Sequence, residues 1–206
     1  MNTIITIGRQ YGSGGKEIGK KLAEYYNIPF YDKELLKVAA KESGICEEMF
    51  ENFDEKPTTS FLYSLVMDPY ALGYNAASFD MPLNQKVFLA SFDAIKKVAD
   101  EGPCIIVGRC GNYVLQDQMD NLVRIFVYAD TVTRIRRVMD VDKVDEAEAL
   151  RRMRRIDKER TEYHRYFTGR EWMDMENYDL PINASRIDYD QMIQLIKDYL
   201  KLKGFL

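Results

Sequence analysis

The opening segment constrains this chain most. Thr3–Ile7 is a run of β-branched residues that reads as a short buried strand ended by Gly8. Gly12-Ser13-Gly14-Gly15-Lys16 follows. Ile18, Leu22 and Tyr25/Tyr26 then recur at helical spacing, and Asn27 and Pro29 stop the helix. Glycines permit positive φ and let backbone N–H groups turn inward. Such a nest, at the positive end of a helix, attracts an anion, and Lys16 adds a point charge. The alternative is a turn that only packs strand against helix. The match to G-x-x-x-x-G-K-[ST] is partial. With Gly15-Lys16 as its Gly-Lys pair, the first glycine falls on Gln10, and Glu17 stands where Ser or Thr would hold magnesium.

Downstream, Ile28–Tyr31 reads as a second strand, and Asp32 as a candidate cap for a helix reaching Ser43-Gly44. Residues 46–82 contain Pro57, Pro69 and Pro82 and read as short helices and loops inserted between strand–helix units. A clearer helix follows Pro82, with Phe88, Phe92, Ile95 and Ala99 on one stripe. Cys104–Val107, Leu122–Tyr128 and Asp179–Asn183 read as strands. Thr131–Met139 and Asp145–Lys158 read as helices, as does a last segment marked by Met192, Ile196 and Tyr199/Leu200. This alternation predicts an α/β fold with a mainly parallel sheet, whose ligands sit at the carboxyl ends of the strands.

At 206 residues the chain fits one domain. A net charge of -4, from 29 basic and 33 acidic side chains, argues against a general nucleic-acid binder. Cys46, Cys104 and Cys110 form no CxxC pair, and His164, the one histidine, completes no zinc set with them. Sparse cysteines suit a reducing compartment, so a cytoplasmic protein is expected. The apolar start reads as a strand rather than a signal peptide. No apolar stretch reaches the roughly 20 residues of a membrane span, so no membrane partner is expected.

Four segments resemble the cytidylate-kinase-like proteins, in the same order. They are the run from Ile4 to Lys20 centred on Arg9-Gln-Tyr-Gly-Ser-Gly-Gly15, then Ile28-Pro-Phe-Tyr-Asp-Lys-Glu-Leu35, Ile105-Ile-Val-Gly-Arg-Cys-Gly111 and Tyr178-Asp-Leu-Pro-Ile-Asn-Ala-Ser185. The resemblance implies a three-layer P-loop kinase fold: a mainly parallel five-stranded sheet with helices on both faces. It implies a core of residues 1–32, 83–139 and 178–206, a helical acceptor-binding insertion at about 33–82 and a lid at about 140–177. Cys110 replaces the aspartate of that family's Gly-Arg-Asp, and Lys33-Glu34 its Thr-Gly, so the acceptor stays open.

The expected activity is ATP- and Mg2+-dependent phosphoryl transfer to a small phosphorylated acceptor, a nucleoside monophosphate in the first instance. Such a reaction needs alignment and positive charge more than covalent help. Gly12, Ser13, Gly14, Gly15, Lys16 and Glu17 would hold the ATP phosphates, with Glu17 reaching the metal through water. Arg9, Asp32 and Arg109 would contact the acceptor. Arg151, Arg155 and Arg160 would close as lid arginines. Each has a plainer reading: an ion pair for Arg109, a helix cap for Asp32, and a solvated face laced by Glu148–Arg152 pairs for the basic run. His164 reads as a packed or surface residue, and Trp172 and Met173 read as packing. A nucleotide-binding module without turnover and an alcohol kinase using Asp32 as base are the other two readings.

Overall fold

The computed structural model describes residues 3–53, 55, 83–117 and 120–205. Its centre is β1 (Ile4–Arg9), paired in parallel with β3 (Ile105–Val107) on one side and β4 (Leu122–Tyr128) on the other. β2 (Phe30–Tyr31) and β5 (Leu180–Asn183) complete a five-stranded sheet in the order β2-β3-β1-β4-β5. Every pairing is parallel, so each connection crosses a face of the sheet and all carboxyl ends share one edge. The chain order reverses beside β1, which puts the turn after β1 at the switch point where such sheets bind ligands.

Period-two alternation sorts the strand residues between two cores. Ile5, Ile7, Ile105, Val107, Ile125 and Val127 face α1 (Gly15–Tyr26) and α8 (Tyr189–Leu202), which contribute Ile18, Leu22, Met192 and Ile196. Ile4 and Ile106 face the other way. There they meet α2 (Glu34–Ser43), Phe50 of α3 (Glu47–Phe53), α4 (Leu83–Asp100) and Val114 of α5 (Gly111–Val114). The result is helix, sheet, helix. α6 (Thr131–Asp142) and α7 (Glu146–Thr168) pack on each other through Val138, Ala149 and Met153, next to the carboxyl edge.

Gly8, the end of α7, Asp32 and Phe88 differ from the sequence reading. Gly8 does not end β1. It continues the strand beneath Phe126 and Tyr178, where an added Cβ would stand 2.7 Å from the Phe126 ring. α7 runs ten residues past Lys158 to Thr168, because no Gly or Pro interrupts it before Gly169, whose φ of 69° ends it. Asp32 does not cap α2; Lys33 holds that position and makes no side-chain cap bond. Phe88 leaves the core stripe and stacks on Phe167 at 3.7 Å between ring centroids. Of the insertion, α2, α3 and Glu55 fall within the described residues; 56–82 lie outside them.

Ile125 is fully buried between β1 and β5 and against the α1–α8 layer. Ile125→Ala is expected to cost about 2–5 kcal/mol, read as a shifted urea midpoint with an unchanged slope.

Candidate active site

Three charged side chains issue from three neighbouring strand ends. Arg9 is the last residue of β1, Asp32 follows β2, and Arg109 lies two residues beyond β3. Burying such groups is costly unless they are paired. Asp32 supplies the pairing: its Oδ2 is 2.7 Å from Lys16 Nζ, and its Oδ1 is 3.4 Å from Arg109 Nη1 and 4.0 Å from Arg9 Nη2. Burial alone would raise the pKa of Asp32. The hydrogen bond from Lys16 and the charges of Arg109, Arg9 and Lys16 outweigh that and hold it below its ordinary 3.8.

The backbone at β3 is shaped for this. Gly108, Arg109 and Cys110 take φ values of 78°, 52° and 57°, three left-handed residues in succession. Two of them are not glycine, and such strain persists only where the surroundings enforce it. The turn aims Arg109 back across the sheet edge, where Nη1 donates to Val107 O at 3.2 Å. An added Cβ on Gly108 would collide with the Glu55 carboxylate and the Arg9 guanidinium.

The glycine-rich turn lies directly above. Gly12 and Gly14 have φ of 76° and 89°. α1 begins without a side-chain cap, and its first ladder bond is Ile18 N–H to Gly14 O at 3.0 Å. The amides of Gly15, Lys16 and Glu17 therefore precede the ladder and point out along the helix axis, the arrangement that receives an anion. Gly15 is compulsory, since a Cβ there would come within 2.6 Å of Arg9 Cβ. A cavity of about 260 Å³ opens over the turn, lined by Arg9, Gly14, Lys16, Glu17, Arg137 and Arg160 among others. It is near the lower size limit of small-molecule sites.

Of the residues singled out from sequence, Arg9, Gly12, Gly14, Gly15, Lys16, Glu17, Asp32 and Arg160 line this cavity. Arg109 lies behind it through Asp32. Ser13 is wholly buried, and its hydroxyl finds no partner among the described residues. Arg151 and Arg155 are not brought to the cavity. They lie on the outward face of α7, paired with Glu148 and Glu159. Met153, Asp157, Arg160 and His164 recur at i, i+4, i+7 and i+11 and form the inward face instead. His164 is buried; its Nδ1 lies 3.1 Å from Arg170 O, and burial lowers its pKa. Of the packed and surface readings, the structure gives the packed one; Trp172 is buried as read, whereas Met173 is exposed.

Four partners escaped the sequence reading. Arg134 donates from Nε to Tyr11 O at 2.8 Å and pairs with Asp157, which also accepts from Tyr11 N–H at 2.8 Å. Together they tie α6 and α7 to the turn. Arg137 donates to Gly12 O at 3.1 Å and lies 5.3 Å over the Tyr189 ring. Glu55 binds Arg9 and Arg160. The one available signal was the spacing of Arg134 and Arg137, a turn apart on a helix that follows a strand at the ligand edge. No three His, Cys, Asp or Glu side chains cluster as a metal cage among the described residues. No helix there is long and apolar enough to cross a membrane.

A parallel sheet with an anion-receiving turn after its central strand, and arginines gathered at the same edge, defines a P-loop kinase. The chain belongs to the cytidylate kinase-like family, which it matches over residues 4–186. It is 23% identical to the cytidylate kinase of Methanopyrus kandleri over 205 residues, covering 96% of this chain and 92% of that one. An uncharacterized protein of known structure from Eubacterium ventriosum is 31% identical, with a TM-score of 0.71 over 97% of this chain and 99% of that one. The shikimate kinase of Bacteroides thetaiotaomicron shares the fold, at 13% identity and a TM-score of 0.53 over 98% and 99% of the two chains.

The buried carboxylates make a pH prediction. Burial opposes ionisation of Glu55 too, yet the charges of Arg9, Arg160 and Arg109 hold its pKa far below 4.5. The unfolded chain then binds more protons than the folded one in acid. Stability from Asp32 and Glu55 is full above about pH 5 and lost as pH falls toward their folded pKa values. Asp32→Asn is expected to cost about 3–5 kcal/mol near neutrality and to flatten the stability slope below pH 5, measured by urea unfolding at several pH values.

Proposed function

We propose that the protein transfers the γ-phosphoryl group of ATP to a small phosphorylated acceptor, a nucleoside monophosphate. One observation carries this reading. The outward amides of Gly15–Glu17 and the Lys16–Asp32–Arg109 chain meet at one sheet edge, so an anion on the turn and a second beside Arg9 and Arg109 would lie next to each other. Transfer between two phosphates needs that alignment and charge on the separating oxygens. Lys16, 53% exposed at its side chain, would exchange its bond to Asp32 for the ATP phosphates. Arg137 and Arg160 would face the transferring group from α6 and α7, and movement of the helical pair would bring the Arg151–Arg155 stretch toward it. The similarity to the cytidylate kinase of Methanopyrus kandleri supports a monophosphate acceptor.

Magnesium fits through Glu17, which lines the cavity beside Lys16. Mg2+ keeps several waters and needs only one or two carboxylates besides the phosphates, and bound there it would neutralise phosphoryl charge. The alcohol-kinase reading needs Asp32 as general base. Its lowered pKa and three cationic neighbours make it a weak base, which disfavours that reading. Glu17 in place of Ser or Thr, and the engaged Lys16, favour the second reading of a nucleotide binder without turnover.

A coupled assay of ADP release with ATP, Mg2+ and each common monophosphate separates the two. Turnover with at least one acceptor is expected, reduced about 100-fold or more by Lys16→Met. ATP binding with background turnover on every acceptor would select the binder instead.

A further inference from the structure

The arginines at the carboxyl edge close on a carboxylate of the chain itself. Glu55 Oε1 is 2.5 Å from Arg9 Nη1 and accepts from the Arg109 backbone N–H at 3.2 Å. Its Oε2 accepts from Arg160 Nε at 3.0 Å. One carboxyl group thus takes donors from the end of β1, the turn after β3 and the inward face of α7. Glu55 itself sits at a φ of 51°, an uncommon conformation for a residue with a side chain.

Charge accounting makes this contact unusual. Arg9, Arg109, Arg160 and Lys16 bring four positive charges, and Asp32 already engages Lys16, Arg109 and Arg9. Asp32 offsets one of the four and Glu55 a second, which leaves two positive charges among these six groups. Two guanidinium groups and a backbone N–H, all shielded from water, suit a phosphate monoester better than a carboxylate. The phosphate has more acceptor oxygens and about twice the charge at neutral pH. Arg9, Glu55 and Arg160 all line the cavity over the glycine-rich turn, so an anion in this seat would face one held by that turn.

Resting on the phosphoryl-transfer reading above, we propose that Glu55 is a place-holder: its carboxylate occupies the seat of the acceptor's phosphate, formed by Arg9, Arg109 and Arg160, and acceptor binding displaces it. The acceptor class follows. Only a molecule bearing a phosphate dianion displaces the carboxylate; a nucleoside without phosphate leaves it in place. A tethered competitor acts at an effective concentration of order millimolar, so its removal sharpens phosphate binding.

The test is calorimetric titration of the whole protein with inorganic phosphate, for wild type, Glu55→Gln and Glu55→Ala, with folding of each checked by circular dichroism. Dissociation constants about tenfold lower are expected in both variants. Adding Arg160→Gln to Glu55→Gln is expected to abolish the gain, which assigns it to this seat and not to the glycine-rich turn. Equal or weaker phosphate binding in both Glu55 variants overturns the proposal and makes Glu55 a brace that builds the seat. A gain that survives Arg160→Gln overturns it as well. The titration needs no turnover. Tightening without kinase activity on any monophosphate retires the proposed reaction alone; activity without tightening retires the place-holder alone.

Discussion

The buried carboxylate of Asp32 is the contact on which this edge depends. Arg9 and Lys16 come from the two ends of the glycine-rich turn and Arg109 from the turn after β3, and each lies within 4.0 Å of it. Without that shared partner, the Arg9 and Arg109 guanidinium groups would be crowded where few waters can screen them, each facing a desolvation cost of several kcal/mol, with the half-exposed Lys16 beside them. With it, the repulsion becomes a brace that fixes the separation of β1, β2 and β3 at their carboxyl ends. Stability and function therefore draw on the same group. Among Lys16, Arg9, Arg109 and Asp32 the positive charges outnumber the negative, and that surplus is what an incoming polyanion would meet.

The rest of the site follows from how the sheet is covered. α1 lies close to β1 because Gly15 and Gly19 offer no side chain at the points of approach. That closeness sets the helix end over Arg9. On the far side of the turn, Tyr11 is held between the two helices of the edge. Its hydroxyl donates to Asp142 at 2.6 Å, and its backbone is gripped by Asp157 and Arg134. The turn is thus fixed from below by the sheet and from above by polar contacts to helices. A recess whose walls are held by such contacts is the arrangement in which oriented dipoles act most strongly on a ligand.

Much of this was legible in the sequence, for local reasons. A strand, a glycine-rich turn and an amphipathic helix are coded within residues 3–26, and the strand–helix alternation fixed the class of sheet. Asp32 and Arg109 were legible because each sits just past a strand, and Lys16 because it closes the glycine-rich turn. Glu55 and Asp157 were not: their meaning comes from partners 105 and 146 residues away in the chain, and spacing carries no trace of those pairings. The basic run of α7 was legible as a run. Of the three arginines singled out in it, Arg160 lies on the inward face with the buried Met153 and with Asp157, and Arg151 and Arg155 lie on the outward one. Gly8 misled, since a glycine that admits a neighbouring ring looks the same in sequence as one that breaks a strand.

α7 is one unbroken rod of 23 residues, and its inner end is clamped by the Tyr163 and Phe167 rings against Phe88. A rod pivoting there behaves as a crank with unequal arms. At a rise of about 1.5 Å per residue, Arg160 lies about 4.5 Å from the pivot and Arg151 about 18 Å. A swing of about 10° would then carry Arg151 about 3 Å while Arg160 shifts by less than about 1 Å. A rotation there would leave Arg160 almost in place and carry Arg151 furthest, so the two ends of one helix would answer the same small motion differently.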